Sequence, residues 1–222
     1  MRTLPSPLLA ILDEELLGPC LPEQAAVASR VGLRWLCLRA RRLGTDARLR
    51  LGRVVQGRCP GVFLTVHGDP RALLGLAAPG LHLPSRGFDV ASVRRSHPGV
   101  LLGVSCHTGR ELRAAAAAGA DYAVLSPFCE PTSKPPAGPV LGPDGFREAV
   151  RGVPIPVLAL GGITPERVTL AAMAGAGGAA VLGSLFQATD LPARSRAYLA
   201  AAEQAWGRGR RRTSTPISGS VP

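Results

Sequence analysis

The stretch Ala159-Leu160-Gly161-Gly162-Ile163-Thr164-Pro165, followed shortly by Val181-Leu182-Gly183-Ser184, decides how this chain is read. Each is a short apolar run that passes through glycine into a helix-like segment. Glycine lets the backbone approach a ligand closely, and the N–H groups that open a helix point at an anion. Thr164 and Pro165 add an N-cap with proline at the first helical position. Two such turns in succession read as the final turns of a parallel β/α protein. Loops after strands seven and eight are the recurring phosphate site of (β/α)8 barrels, so phosphate binding is the first functional expectation.

Working back from these turns, short apolar runs bounded by Gly or Pro recur at residues 8–12, 35–39, 61–66, 80–83, 101–106, 121–125, 155–160 and 179–182. Helical patterns separate them at 22–31, 45–56, 70–77, 89–96, 108–118, 144–151, 165–174 and 192–206. Thr108 with Glu111 forms a capping box, and Gly32, Gly119 and Gly175 stop their helices. Eight near-continuously apolar strands, each followed by a helix, predict a parallel sheet covered by helices. We expect a single-domain (β/α)8 barrel over residues 1–206, with a doubly wound open sheet as the competing arrangement. In a barrel, chemistry sits at the carboxyl ends of the strands, which selects the residues worth reading.

After the second strand comes Arg39-Ala40-Arg41-Arg42. If strand geometry persists, Arg39 and Arg41 point the same way and can bind a phosphate or diphosphate. A solvated basic turn is the plainer alternative. After the fifth comes Gly103-Val104-Ser105-Cys106-His107-Thr108, where Ser105 offers a hydroxyl and His107 a proton carrier or merely a surface ring. After the sixth comes Ser126-Pro127-Phe128-Cys129-Glu130-Pro131-Thr132-Ser133-Lys134, which carries the sole lysine of a chain holding 26 Lys and Arg. An ammonium is a compact cation suited to a phosphate oxygen.

The composition excludes several classes of protein. With 222 residues, 46% of them hydrophobic, the chain can bury a core and is not intrinsically disordered. No apolar run approaches the roughly 20 residues of a membrane span. Asp13, Glu14 and Glu15 break the first apolar stretch where a signal peptide would continue, so a cytoplasmic location without membrane attachment is expected. Five cysteines without CxxC pairs or zinc-like spacing argue for reduced thiols. The net charge of +11 is partly a tail effect. Arg208, Arg210, Arg211 and Arg212 fall in an acid-free end, read as a disordered basic tail over 207–222. No aromatic residue interleaves with these arginines, so nucleic acid is not the expected partner.

The order of these motifs resembles the thiamine phosphate synthase / TenI family, small (β/α)8 proteins of thiamine biosynthesis. The resemblance runs through Cys37-Leu38-Arg39-Ala40-Arg41, Gly80-Leu81-His82-Leu83, Gly103 to Thr108, Gly119-Ala120-Asp121-Tyr122, Pro131 to Lys134, Pro156 to Thr164, and Gly183-Ser184. It implies a small phosphorylated thiazole or thiamine ligand and is compatible with a homo-oligomer. Gly161, Gly162, Gly183 and Ser184 would hold the thiazole phosphate. Arg39, Arg41, Ser105 and Lys134 would face the diphosphate of an aminopyrimidine substrate, and Thr132 and Ser133 join the substrate-binding set. The synthase would need Mg²⁺, yet its Asn-Asp pair falls on His67-Gly68, and its next metal carboxylate is missing from Leu83-Pro84-Ser85-Arg86-Gly87. Leu83-Pro84-Ser85 looks more like the TenI branch, which includes a metal-free thiazole tautomerase. We therefore expect TenI-like chemistry without metal ligands, with Mg²⁺ only for a true synthase. A true synthase and a non-catalytic binder of phosphorylated ligands are the alternatives. That branch's histidine falls on Pro127. His107, Glu130, Cys129 and His67 are then the candidate proton carriers, and Lys134 and Ser105 the other catalytic candidates.

Overall fold

A computed structural model describes residues 3–130 and 139–210, the side chains of 208–210 excepted. Its eight strands are β1 (Leu8–Asp13), β2 (Trp35–Arg39), β3 (Phe63–His67), β4 (Gly80–Leu83), β5 (Leu101–Cys106), β6 (Tyr122–Leu125), β7 (Val157–Ala159) and β8 (Gly178–Val181). They pair in sequence order, all parallel, and β8 returns to β1 to close the ring. The expected (β/α)8 barrel is therefore the fold, and the open sheet is excluded by the β1–β8 ladder.

Helices cover the ring: α1 (Glu14–Leu17), α2 (Leu21–Val31), α3 (Thr45–Arg58), α4 (Arg71–Leu76), α5 (Val90–Ser96), α6 (Gly109–Ala117), α7 (Gly142–Val150), α8 (Pro165–Met173), α9 (Gly183–Phe186) and α10 (Leu191–Arg210). The sequence pattern does not foresee α1, α9 or the 3₁₀ turn Gly18–Cys20, since each is too short for periodicity to register. Asp13 caps α1 by accepting from the Leu16 N–H, and Thr108 caps α6 by accepting from Glu111. The other half of the expected capping box is displaced by one residue, because the Glu111 carboxylate takes the N–H of His107. Thr164 makes no side-chain cap to α8; its hydroxyl bonds Glu166 instead. The last helix runs through Arg210, so the expected tail boundary at 207 falls four residues early. Arg211 and Arg212 lie outside the described residues. Among the described residues no helix is long and apolar enough to cross a membrane.

Strands buried on both faces explain the continuous apolar runs. One core lies between strands and helices; the second fills the barrel itself with Leu9, Ile11, Trp35, Cys37, Leu101, Tyr122, Val124, Leu158 and Ala180. Gly103 makes room in that interior: a Cβ there would overlap the Tyr122 ring. The indole of Trp35 meets that ring edge-on at 5.0 Å between centroids. Cys37, Cys59 and Cys106 are buried and every cysteine is free, as the spacing implied. Burial pushes the thiols of Cys37 and Cys106 up to about 12, so both stay protonated packing groups.

Candidate active site

Alternation along the strands carries a polar layer to the carboxyl-terminal mouth. Asp13 and Arg39 end β1 and β2, stand opposite each other in register, and form an ion pair. Asp13 is buried and Arg39 half-buried; burial, with Arg41 nearby, brings the Arg39 guanidinium down to about 10, still fully charged at neutral pH. Below them, Ser105 Oγ lies 2.9 Å from His82 Nε2, and His82 Nδ1 lies 3.1 Å from the Tyr122 hydroxyl. Tyr122 bonds in turn to Thr65, which accepts the indole N–H of Trp35 at 2.9 Å. The chain Ser105–His82–Tyr122–Thr65–Trp35 leads from the mouth into the barrel. Indole can only donate, which sets one direction, and a neutral His82 must donate at one nitrogen and accept at the other. Ser105 is thus held in place by an uncharged buried network.

Two histidines share this layer, stacked with centroids 5.8 Å apart. Burial drives His82 down to about 3, helped by its neighbour His67; burial and then Arg39, Arg41 and Arg48 drive His67 down to about 4. Unfolded histidine titrates near ~6.5. Between that pH and ~4 the unfolded chain binds nearly two protons that the native state does not. Stability therefore rises with pH through this window and is lost on acidification. Urea unfolding is expected to show about 2–4 kcal/mol less stability at pH 5 than at pH 7; a pH-independent midpoint would contradict the neutral pair.

At the other side of the mouth, the loops after β7 and β8 are tied together. The Ile163 carbonyl oxygen lies 2.7 Å from Ser184 Oγ and 2.8 Å from the Tyr198 hydroxyl, and the two hydroxyls are 2.8 Å apart. Arg167 donates to the Gly162 carbonyl at 2.8 Å. The amides of Gly183 and Ser184 open α9, where helix geometry leaves the first N–H groups without partners in the helix. Gly161 and Gly162 have φ of +100° and +61°. A Cβ on Gly162 would strike the Glu130 carbonyl and come within 2.8 Å of Cys129. The glycine pair is thus required by the loop after β6 as well as suited to a ligand. That loop is clipped in place by Phe128 N–H to Leu160 O at 2.8 Å and Cys129 N–H to Gly161 O at 3.0 Å.

The structure separates several residues that the sequence groups together. β2 ends at Arg39, so the two-residue periodicity does not reach Arg41, which is exposed and donates to Glu15 at 3.3 Å. Arg42 pairs with the same carboxylate. His107 is exposed, its Nδ1 3.0 Å from the Ser126 carbonyl, away from the Ser105 network. Glu130 is exposed, with its backbone against Gly162. Thr132, Ser133 and Lys134 lie outside the described residues. Asp13 and Tyr122 carry site geometry that the sequence reading missed. The available signal was positional: both occupy inward places on their strands, Asp13 at a carboxyl end.

The residues at the mouth do not fit Mg²⁺. A hard cation needs several free carboxylate oxygens. Asp69 bonds the Arg71 side chain at 2.7 Å, Asp13 serves Arg39 and the α1 cap, and Asp89 caps α5. Among the described residues no three His, Cys, Asp or Glu side chains gather as a metal site.

Eight closed β/α units, with glycine turns and helix-opening amides on the carboxyl-terminal rim after β7 and β8, define a (β/α)8 barrel. The family model described as thiamine monophosphate synthase matches residues 8–185, and the chain belongs to that family. The bifunctional thiamine biosynthesis protein ThiM/ThiE of Symbiobacterium thermophilum is 35% identical over 193 residues, 86% of this chain. The chain spans only 40% of that longer protein. The thiamine-phosphate synthase of Bordetella avium is 36% identical over 181 residues, covering 78% of this chain and 84% of the relative. The solved thiamine phosphate pyrophosphorylase from Pyrococcus furiosus superposes with a TM-score of 0.79 at 22% identity, covering 89% of this chain and 96% of that one, a likeness of fold. Relatives with these names are transferases. They favour the synthase alternative over the tautomerase chemistry expected from Leu83-Pro84-Ser85.

Proposed function

We propose that this protein joins an aminopyrimidine diphosphate to a thiazole phosphate, the synthase reaction its curated relatives are named for. The observation that supports the reading is a mouth with glycine and helix-opening amides on one side and guanidiniums on another. One is the amide rim of Gly161, Gly162, Gly183 and Ser184, braced by Ile163 and Tyr198. The other is the cationic sector of Arg39 and Arg41, with Ser105 beside it and Lys134 assigned there by resemblance.

In this reaction the bond between the pyrimidine methylene carbon and the diphosphate oxygen breaks, and its electron pair leaves with the diphosphate. The thiazole nitrogen lone pair then forms the new C–N bond, leaving a thiazolium. Negative charge builds on the departing oxygen, where preorganised cations and the Ser105 hydroxyl lower the barrier. No proton has to be transferred to form the bond. The exposed His107 and Glu130 therefore need no role in it, whereas the tautomerase reaction would require a carrier.

The test supplies both substrates to the full chain and follows thiamine phosphate and diphosphate release. Equal amounts of the two products are expected. Aromatisation of a thiazole carboxylate phosphate without coupling would replace this reading with the tautomerase one. Ligand binding without either turnover would leave a binder.

A further inference from the structure

The misfit to Mg²⁺ has a positive counterpart in the groups that do face the mouth between β2 and β3. His67 ends β3, with its Nδ1 buried and without a hydrogen-bond partner. Its ring stacks on His82 of β4, which is itself occupied by Ser105 and Tyr122. From β2, the following loop and α3, three guanidiniums act on it: Arg39, Arg41 and Arg48.

Charge accounting around this ring leaves a positive excess. Arg39 is matched by Asp13, whereas Arg41 and Arg42 share the single carboxylate of Glu15. Arg48 directs its N–H groups to the carbonyls of Ala40 at 3.1 Å and Leu43 at 3.0 Å, and its charge also acts on Asp69, a carboxylate that Arg71 already pairs with. A divalent cation placed here would meet guanidiniums. An anion would meet them and the uncharged His67 ring that ends β3.

We infer that this sector binds a diphosphate group directly, without a divalent cation, and that His67 is one of its ligands. A neutral imidazole carries one N–H, which the His67 ring at the end of β3 offers to an anionic oxygen that lies among the arginine charges. Guanidiniums supply planar, strongly donating contacts to phosphate oxygens, the work a metal would otherwise do. The inference rests on the reading of the β2–β3 sector as the diphosphate end of the proposed reaction.

Calorimetric titration of the full chain with inorganic diphosphate, in EDTA and in excess Mg²⁺, tests it alongside a separate titration with thiazole phosphate. Binding in EDTA is expected, with Mg²⁺ failing to tighten it. His67→Leu is expected to weaken diphosphate about tenfold, the loss of one charge-assisted bond, while thiazole phosphate affinity stays within about twofold. That second ligand also reports whether the variant is folded. Should His67→Leu fail to fold, Arg41→Gln on the exposed loop is expected to weaken diphosphate about fivefold. Binding that requires Mg²⁺, or a folded variant with unchanged diphosphate affinity, would overturn the inference. Diphosphate binding in EDTA with no thiazole phosphate binding would support it and sink the proposed coupling reaction.

Discussion

Gly162→Ala is expected to destabilise the protein by about 2–4 kcal/mol and to weaken thiazole phosphate binding at least tenfold. Two independent costs meet at this residue. Its φ of +61° lies in the left-handed region, which a Cβ disfavours by about 1 kcal/mol or more. The added methyl would also overlap the Glu130 carbonyl and crowd Cys129, both backbone-anchored groups that cannot rotate away. Relief requires the loop after β6 to retreat, which breaks the short ladder from Phe128 and Cys129 to Leu160 and Gly161. The amide of Gly162 and the braced rim beside it would move with that shift. Denaturant unfolding and calorimetry check the two parts separately. Gly57→Ala is the matched control: it lies within α3 with open space at its Cβ, and alanine there is expected to stabilise by about 0.5–1 kcal/mol. A Gly162→Ala protein as stable as the wild type, with intact binding, would show that the loop can yield freely.

Arg94→Ala is expected to cost about 3–5 kcal/mol while leaving ligand affinity within about twofold. Arg94 lies on α5, at the end of the barrel away from the mouth. Its guanidinium donates to the carbonyls of Gly119 at 2.9 Å, Val100 at 2.9 Å, and His97 and Pro98 at 3.2 Å each. It also pairs with Asp121, which receives the Leu102 N–H at 2.8 Å. One side chain therefore ties α5 to the approaches of β5 and β6. Alanine would strand several carbonyls and leave the partly buried Asp121 without its counter-charge. Water reaches this rim and softens the loss, which sets the estimate near the low end. Arg94→Lys is expected to recover less than half, because an ammonium cannot span that many acceptors at fixed angles. A fall in affinity as large as the fall in stability would show that the two ends of the barrel are coupled.

The contrast between these substitutions follows the division of labour in the fold: the carboxyl-terminal face carries ligand groups and the opposite face carries stability. Much of the frame was legible because a strand buried on both faces has to be apolar throughout. All eight strands and their order could be read from that signal and from the glycines and prolines between them. The glycine turns after β7 and β8 were legible too, since a glycine pair followed by a helix start is a local pattern. Arg41 shows where local reading fails. Its spacing from Arg39 implied a shared strand face, but the strand stops at Arg39: Arg41 is exposed and paired with Glu15, and reaches Arg39 and His67 only through its charge.

His67 and His82 make the same point from the other direction. Fifteen positions apart in the chain, they meet only because β3 and β4 pair in register at these residues. Their shared neutrality comes from burial and from guanidiniums on other elements, which no spacing rule contains. By itself, then, the sequence determined the eight-unit barrel, the amide rim after β7 and β8, and the absence of the expected metal carboxylates, because each is written in contiguous residues. Tertiary structure alone decided the Asp13–Arg39 pair, the Ser105–His82–Tyr122 chain and the cationic surroundings of His67. Ring closure brings the ends of separate strands together, and burial then sets the charge each group can hold.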